Sequence, residues 1–492
     1  MKNNILIIGC GIGGLTTACL LAAKGHSVTI IEKGNSAGGC CRQTKTSEFT
    51  INWGADYITS PNLIKEIYDS AGFKNNEKLD LIPLEPNIRF ISPEDEHFDL
   101  STDKKIILEE IGRISPTDRQ GFLDLDTKYD EFFQNDLSQA FKGPSNLLNG
   151  KLKLSPEIIR LRTLPHIQKL TTSVIKNTFL QNVYSYHPLL VGGNPKQTNY
   201  FHQLNPFLFE EQQYYYVMGG MNSIIKRLVQ ILNDLGIRII YNAEVSEILT
   251  QSHRVIGVRM KDGDIIPGDI VVTNADAMHT VNSLLPARYH KKVLKKSYNP
   301  TDFSSSLFIL NLVVSTQVRD NGLSHHNVII DKNLDKFSKD IFKNFEPSTE
   351  NVFSLHIPTM IDNTLVPAEH DIIKICVPVP NLSARINWKN FGWQFRSQVI
   401  DYLEERFFPS LRSNIIFEKH IDPEYFHENL NYHLGGVYSL QPKLDQILHN
   451  RFHNQSNVIN GLYFVGNGTH PGASVAGVML SAKATANKID AS

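Results

Sequence analysis

Six residues near the start of the chain, Gly9-Cys10-Gly11-Ile12-Gly13-Gly14, narrow the possible folds more than anything after them. The apolar run Asn4-Ile5-Leu6-Ile7-Ile8 leads into this turn, and a small-residue stretch from Leu15 to Lys24 leads out of it. Strand, turn and helix is the predicted order. Gly25-His26 ends the helix, and Ser27-Val28-Thr29-Ile30-Ile31-Glu32 reads as a second buried strand, completing a βαβ unit of the usual size, roughly 30 residues. Within the G-x-G-x-x-G pattern each glycine has a separate task. Gly9 permits the tight turn, Gly11 lets backbone approach a pyrophosphate, and Gly14 lets the helix pack closely on the strand so that its N-terminal amides face the phosphates. Glu32, at the end of the second strand, is placed to accept hydrogen bonds from a ribose 2′-hydroxyl and to repel a 2′-phosphate. The unit therefore predicts a bound dinucleotide, though FAD and NAD present the same adenosine diphosphate end to it.

Other segments separate the two. Gly38-Gly39-Cys40 puts a second glycine pair just past the acid, where backbone passes close to a cofactor longer than its ADP half. Phe49-(x)3-Trp53-Gly54-Ala55-Asp56 adds a turn suited to border a ring system. Near the other end, Gly461-Leu462-Tyr463-Phe464-Val465-Gly466-Asn467-Gly468-Thr469-His470-Pro471-Gly472 reads as a buried strand entering a glycine loop, with a helix opening at Val475. The partly positive N-terminus of such a helix suits the flavin edge that becomes negative on reduction.

These stretches, with His187-Pro188-Leu189-Leu190-Val191-Gly192-Gly193-Asn194-Pro195, Tyr216-Val217-Met218-Gly219-Gly220-Met221 and Asn274-Ala275-Asp276, resemble the bacterial-type phytoene desaturases over essentially the whole length. Those carotenoid desaturases belong to the FAD-dependent amine-oxidase-like superfamily. The resemblance implies an α/β fold: a Rossmann-type FAD-binding domain of the amine-oxidase/glutathione-reductase-like kind, with interleaved substrate-binding and helical membrane-facing lobes. It extends the cofactor-binding set from Gly9, Gly11, Gly14 and Glu32 to Ile12, Gly13, Lys33, Gly39, Cys40, Val245, Gly466, Asn467, Val475 and Ala476. It also implies a hydrophobic polyene substrate, FAD without bound NAD, and reoxidation by quinone or oxygen. Three departures stand out. Cys40 replaces an arginine usual after the paired glycines, with Arg42 two positions on; Asn467 lies in the final motif; and Ala476 stands where proline is common. Relatives that isomerise, saturate or oxidise polyenes, and a non-catalytic flavoprotein that binds prenyl lipids, are the competing readings.

A chain of 492 residues exceeds one ordinary core, and the texture divides it. FAD-binding segments are expected at 1–74, 216–300 and 446–492, a substrate-side helical lobe facing the membrane at 75–215, and a substrate-binding lobe at 301–445. Helical periodicity is expected near 103–141 and 157–182, a helix at 222–235 and a β-rich stretch at 245–273. The balance of 49 basic against 50 acidic residues gives no electrostatic footprint for nucleic acid. Cys10, Cys19, Cys40, Cys41 and Cys376 form no CxxC, and no zinc-like His/Cys spacing occurs, so reduced thiols of a cytosolic protein and no metal are expected. The glycines at 9, 11, 13 and 14 interrupt the first apolar run, and no segment reaches the ~20 apolar residues of a membrane span, so neither a cleaved leader nor a spanning helix is expected.

Three further features bear on chemistry. His470 is the candidate for proton transfer, with bonding of loop backbone as its alternative role. Cys40 and Cys41 would close a strained ring if bridged and are read as thiols without a redox part. Residues 151–176 carry six basic residues against the single acid Glu157, with Ile158, Ile159, Leu161, Leu164 and Ile167 beside Arg160, Arg162 and Lys169. A basic amphipathic helix of this kind suits an anionic lipid surface, and peripheral membrane association is the expectation.

Overall fold

The computed structural model describes residues 2–72, 79–132, 166–198, 213–294, 296–319, 321–331, 333–447 and 450–491. Its first layer is a five-stranded parallel sheet in the order Leu462–Phe464, Ile270–Thr273, Asn4–Ile8, Ser27–Ile31, Arg238–Ile240. The strand Asn4–Ile8 is central, with Ile5 opposite Ile270 on one side and Val28 on the other. Such a strand is covered on both faces, which is why its residues run apolar without alternation. The helix Ile12–Ala23 packs between the helices Asn222–Asp234 and Val475–Asp490, and Gly13, Gly14, Thr16, Thr17, Ala18 and Cys19 are all buried along it. Its small residues let three helices meet over one sheet. A three-stranded antiparallel sheet, Val245–Gln251, Arg254–Met260 and Ile265–Pro267, packs beside this layer.

The second layer is a mixed seven-stranded sheet in the order Ile415–Ile421, Ser306–Val314, Asp371–Val379, Val352–His356, His326–Ile330, Ile88–Ile91, His97–Leu100. The helix Trp388–Arg406 covers one face, where Trp388, Phe395, Val399, Ile400 and Leu403 join Phe308, Leu310, Ile373 and Ile375 in one core. The short strand Tyr215–Val217 pairs with Leu81–Pro83, and Tyr214 stacks on Tyr57 with ring centroids 4.3 Å apart. Helices at Lys104–Ile114, Arg119–Phe132 and Ile167–Val174 fall within the two stretches expected to be helical, and Thr178–Ser185 starts in the second and runs three residues past it. Of the basic segment 151–176, residues 151–165, with Arg160 and Arg162, lie outside the described residues. Within the rest, Ile167 and Thr171 face inward and Lys169 is exposed. No helix among the described residues is long and apolar enough to cross a membrane.

Candidate cofactor and substrate site

A cavity of about 380 Å³ runs between the two layers. At one end it is walled by the first glycine turn. Gly11 precedes the helix Ile12–Ala23, whose N-terminus has no side-chain cap and no acid in its first turn. An N-cap residue that offers the first amides of a helix no side-chain acceptor leaves a start that attracts an anion. The closeness that the glycines permit is measurable: a Cβ on Gly14 would lie 2.2 Å from the Gly9 carbonyl oxygen, and one on Gly11 2.9 Å from Asn274 Oδ1. Gly14 itself does not line the cavity; it sets the approach of helix to strand.

Asn274 ties the glycine-rich segments together. Its Oδ1 accepts from the Gly14 amide at 3.0 Å, and its Nδ2 donates to the Val465 carbonyl at 3.1 Å. Beyond Val465, the loop from Gly466 to Gly472 is held by Arg451, which is buried and donates to the carbonyls of Thr469, Asn467 and Leu440. Burial lowers this guanidinium to about 10. The helix Val475–Asp490 then begins at the cavity, capped by Ser474 Oγ accepting from the Gly477 amide at 2.9 Å.

Glu32 is buried with both carboxylate oxygens hydrogen-bonded. Oε2 accepts from the Cys10 amide at 2.9 Å, and Oε1 from the Gly34 amide at 2.7 Å and Arg42 Nη2 at 3.0 Å. Arg42 reaches back because the short turn Gly39–Cys41 folds the chain over the acid. Lys33 donates to Asn431 Oδ1 at 2.8 Å, and burial lowers its ammonium. Cys40 borders the cavity; its thiol, bonded by Cys41 and by Tyr432, is lowered to about 7 while that of Cys41 is raised. All five cysteines are free.

Gly9, Gly11, Ile12, Gly13, Glu32, Lys33, Gly39, Cys40, Val245, Gly466, Asn467, Val475 and Ala476 all line this one cavity. His470 does not. It is buried beneath the loop, with its amide donating to the Phe452 carbonyl at 3.0 Å and its carbonyl accepting from Asn454 Nδ2 at 3.0 Å. The uncapped helix start, the glycine cradle and the carboxylate at the second strand fit the adenosine and pyrophosphate parts of FAD. The second helix start at Val475 fits its ring system.

Away from the glycines the wall becomes apolar, with Leu189, Val191, Leu307, Ile309, Ile421 and Val437. Asp56 on this wall belongs to a polar cluster behind it that sequence reasoning missed. Asp56 Oδ1 pairs with Lys374 Nζ at 2.7 Å and with His356 Nδ1 at 3.1 Å, and Lys374 also donates to the Gly54 carbonyl. Burial alone would raise the Asp56 carboxyl, but Lys374 and His356 hold it far below the usual carboxylate range. His356 Nε2 lies 3.0 Å from His325 Nε2. Among the described residues no group of three or more His, Cys, Asp or Glu is arranged to hold a metal ion.

Comparison with known proteins agrees with this geometry. Residues 12–336 match the family described as "Flavin containing amine oxidoreductase". A phytoene desaturase (lycopene-forming) from Pseudescherichia vulneris is 30% identical over 488 residues, covering 99% of each chain. A 4,4'-diapophytoene desaturase (4,4'-diaponeurosporene-forming) from Staphylococcus haemolyticus is 29% identical, covering 98% of this chain and 97% of the relative. The solved structure of cyclohexylamine oxidase from Brevibacterium oxydans shares the fold with a TM-score of 0.63, at 14% identity over 100% of both chains. The chain belongs to the flavin-containing amine oxidoreductase family, in its carotenoid desaturase branch, and is an FAD-dependent oxidoreductase acting on CH–CH groups.

Proposed function

We propose that the protein desaturates a linear C30 or C40 polyene of the phytoene kind, with a quinone or oxygen as final electron acceptor. It would work against a membrane surface, since so long a hydrocarbon is available only from a bilayer. The observation that carries the reading is a cavity that joins a glycine-walled end to an apolar end between two layers. In this reading Gly9, Gly11, Ile12, Gly13 and Glu32 hold the ADP half of FAD, with Lys33, Gly39, Cys40 and Val245 beside it. Gly466, Asn467, Val475 and Ala476 border the rings, and His470 serves to fix the loop. Bound FAD supplies a hydride acceptor. The chain's own contribution is positioning: Leu307, Ile309, Ile421 and Val437 exclude water and hold an uncharged chain by contact alone. Holding one C–H bond in attack geometry supplies ~7–11 kcal/mol of barrier reduction without a strong acid or base.

Anaerobic mixing of the FAD-loaded protein with phytoene, and separately with its C30 homologue, tests this. Bleaching of the flavin absorbance with products of longer conjugation is expected from at least one of them. Altered double-bond geometry at a constant number of double bonds would assign an isomerase instead. No change in flavin or polyene with either chain would leave a binding protein.

A further inference from the structure

The seven-stranded sheet carries a polar row where its face meets the cavity. Lys374 stands opposite Asn311 on one neighbouring strand and opposite His356 on the other, and His356 stands opposite His326. Directly opposed residues on adjacent strands share a face, so the four side chains lie side by side across mainly apolar strands. Two of the groups reach the cavity, His326 from this row and Asp56 from the facing turn. Their bonding differs. Asp56 is tied to Lys374 and His356 through Oδ1. His326 is 3% exposed, and neither Nδ1 nor Nε2 has a hydrogen-bond partner among the described residues. A buried imidazole with both nitrogens unmatched is costly unless something in the cavity engages it. The ring is fixed all the same, meeting Tyr57 edge-on at 5.3 Å between centroids and His356 at 5.8 Å.

From this geometry we infer that His326 is the proton acceptor of the desaturation, with Asp56 as the anion that stabilises the imidazolium it becomes. The inference rests on the desaturase reading. Hydride loss to the cofactor takes a C–H electron pair and leaves an allylic cation. The adjacent C–H bond then breaks, its electron pair becomes the new C=C bond, and the proton passes to the unprotonated nitrogen of His326. The charge lands beside the carboxylate that Lys374 and His356 keep ionised, and the proton leaves for solvent before the next cycle. Burial and the neighbouring His356 hold His326 down at about 3, with Asp56 opposing and Lys374 adding to the effect. The ring is therefore neutral and able to accept at any ordinary pH. So weak a base suffices because the proton beside a carbocation is strongly acidic. The groups facing His326 are Asp56, Lys374, His356 and Tyr57, and none of the others combines an open basic nitrogen with a place on the cavity wall.

The test uses FAD-loaded wild type, His326→Gln and His326→Gly with whichever chain the wild type desaturates. His326→Gln should lower the rate constant for anaerobic appearance of the lengthened polyene chromophore ~10²–10⁴-fold, the usual loss for a general base. Affinity for a fully saturated C40 chain, read by equilibrium quenching of tryptophan fluorescence, should stay within threefold, as should affinity for FAD. In His326→Gly, added imidazoles should restore formation of the lengthened polyene, faster for the more basic ones. A His326→Gln rate within threefold of wild type would overturn the assignment. So would a fall in saturated-chain affinity that matches the fall in rate, or an absence of imidazole rescue, either of which marks a packing role. A wild type that bleaches with neither chain sinks the desaturase reading itself, and this inference with it.

Discussion

Replacing Lys374 with methionine isolates the energetics of the polar cluster. The ammonium side chain is 3% exposed and the Asp56 side chain 11%, and they meet at 2.7 Å. Methionine fills much of the lysine stem but leaves Asp56 facing a low-dielectric wall with His356 Nδ1, at 3.1 Å, as its remaining ion-pair neighbour. Breaking one side of a buried pair costs ~3–5 kcal/mol, because the remaining charge has lost its compensation. At ~2.1 cal/mol/K per residue, the unfolding entropy of a chain this long is about 1 kcal/mol per kelvin, so Lys374→Met should lower the melting temperature by about 3–5 °C. Lys374→Met/Asp56→Asn removes the stranded charge and leaves only imperfect hydrogen bonding, worth ~1–2 kcal/mol, so it should recover to within about 2 °C of wild type. The pH dependence has a definite sign. Without the cation, burial raises the Asp56 carboxyl above its unfolded value, so the single variant's deficit should shrink as pH falls. Thermal melts of the FAD-loaded proteins by circular dichroism between pH 5 and 8 decide it. A single variant that melts with the wild type, or a double variant no better than the single, would refute the argument.

Gly14→Ala should cost FAD affinity, since its Cβ would lie 2.2 Å from the Gly9 carbonyl oxygen and the helix must retreat from the strand. Overpacking of this kind costs ~1–3 kcal/mol, or about 5- to 150-fold in a fluorescence titration, and unchanged affinity would remove close approach as the reason for that glycine. Acid should destabilise the protein well above the carboxylate range. Burial lowers His187 to about 4 and His326 to about 3, so the folded state resists protons that the unfolded chain binds below ~6.5, and their contribution, complete above that pH, is lost as pH falls. Each group removes ~2 kcal/mol by pH 5, so melting should fall by about 4 °C from the pair, and a flat melting temperature between pH 7 and 5 would contradict it.

The glycine-walled end of the cavity is legible because it depends on backbone geometry over short stretches. A strand, a turn without side chains and a helix must follow one another directly, so Asn4 to Glu32 shows the unit by itself, and Val475 opens a helix where the loop before it predicts one. Arg42 marks where that legibility weakens. Beside Cys40 it reads as a displaced residue, yet one short turn returns its guanidinium to Glu32. Asn274 is visible as part of a matching stretch, but its task of bonding Gly14 and Val465, 260 and 191 positions away, exists only once three strands stand side by side. Arg451 shows no local pattern at all, since its partners are carbonyls of a loop that the sequence describes only as glycine-rich.

The apolar end follows a different rule, and that explains why its polar members escaped notice. An uncharged substrate asks for no contiguous motif. It asks for alternating apolar residues that any sheet supplies, plus a few polar groups whose only shared property is register. Lys374 sits within Asp371-Ile372-Ile373-Lys374-Ile375-Cys376-Val377, where it reads as a polar interruption in an edge-like strand. Only with Ser306–Val314 on one side and Val352–His356 on the other is it central, buried and opposite Asn311 and His356. His325-His326 has no carboxylate or cysteine partner at ligand spacing and reads as no metal site, yet nothing in the pair shows that its two rings serve different ends. Both rings lie against His356, with centroids 4.4 and 5.8 Å from it. His325 turns to His356 while His326 turns to the cavity. The register of four strands, rather than any spacing along the chain, assembles the chemistry at this end of the site.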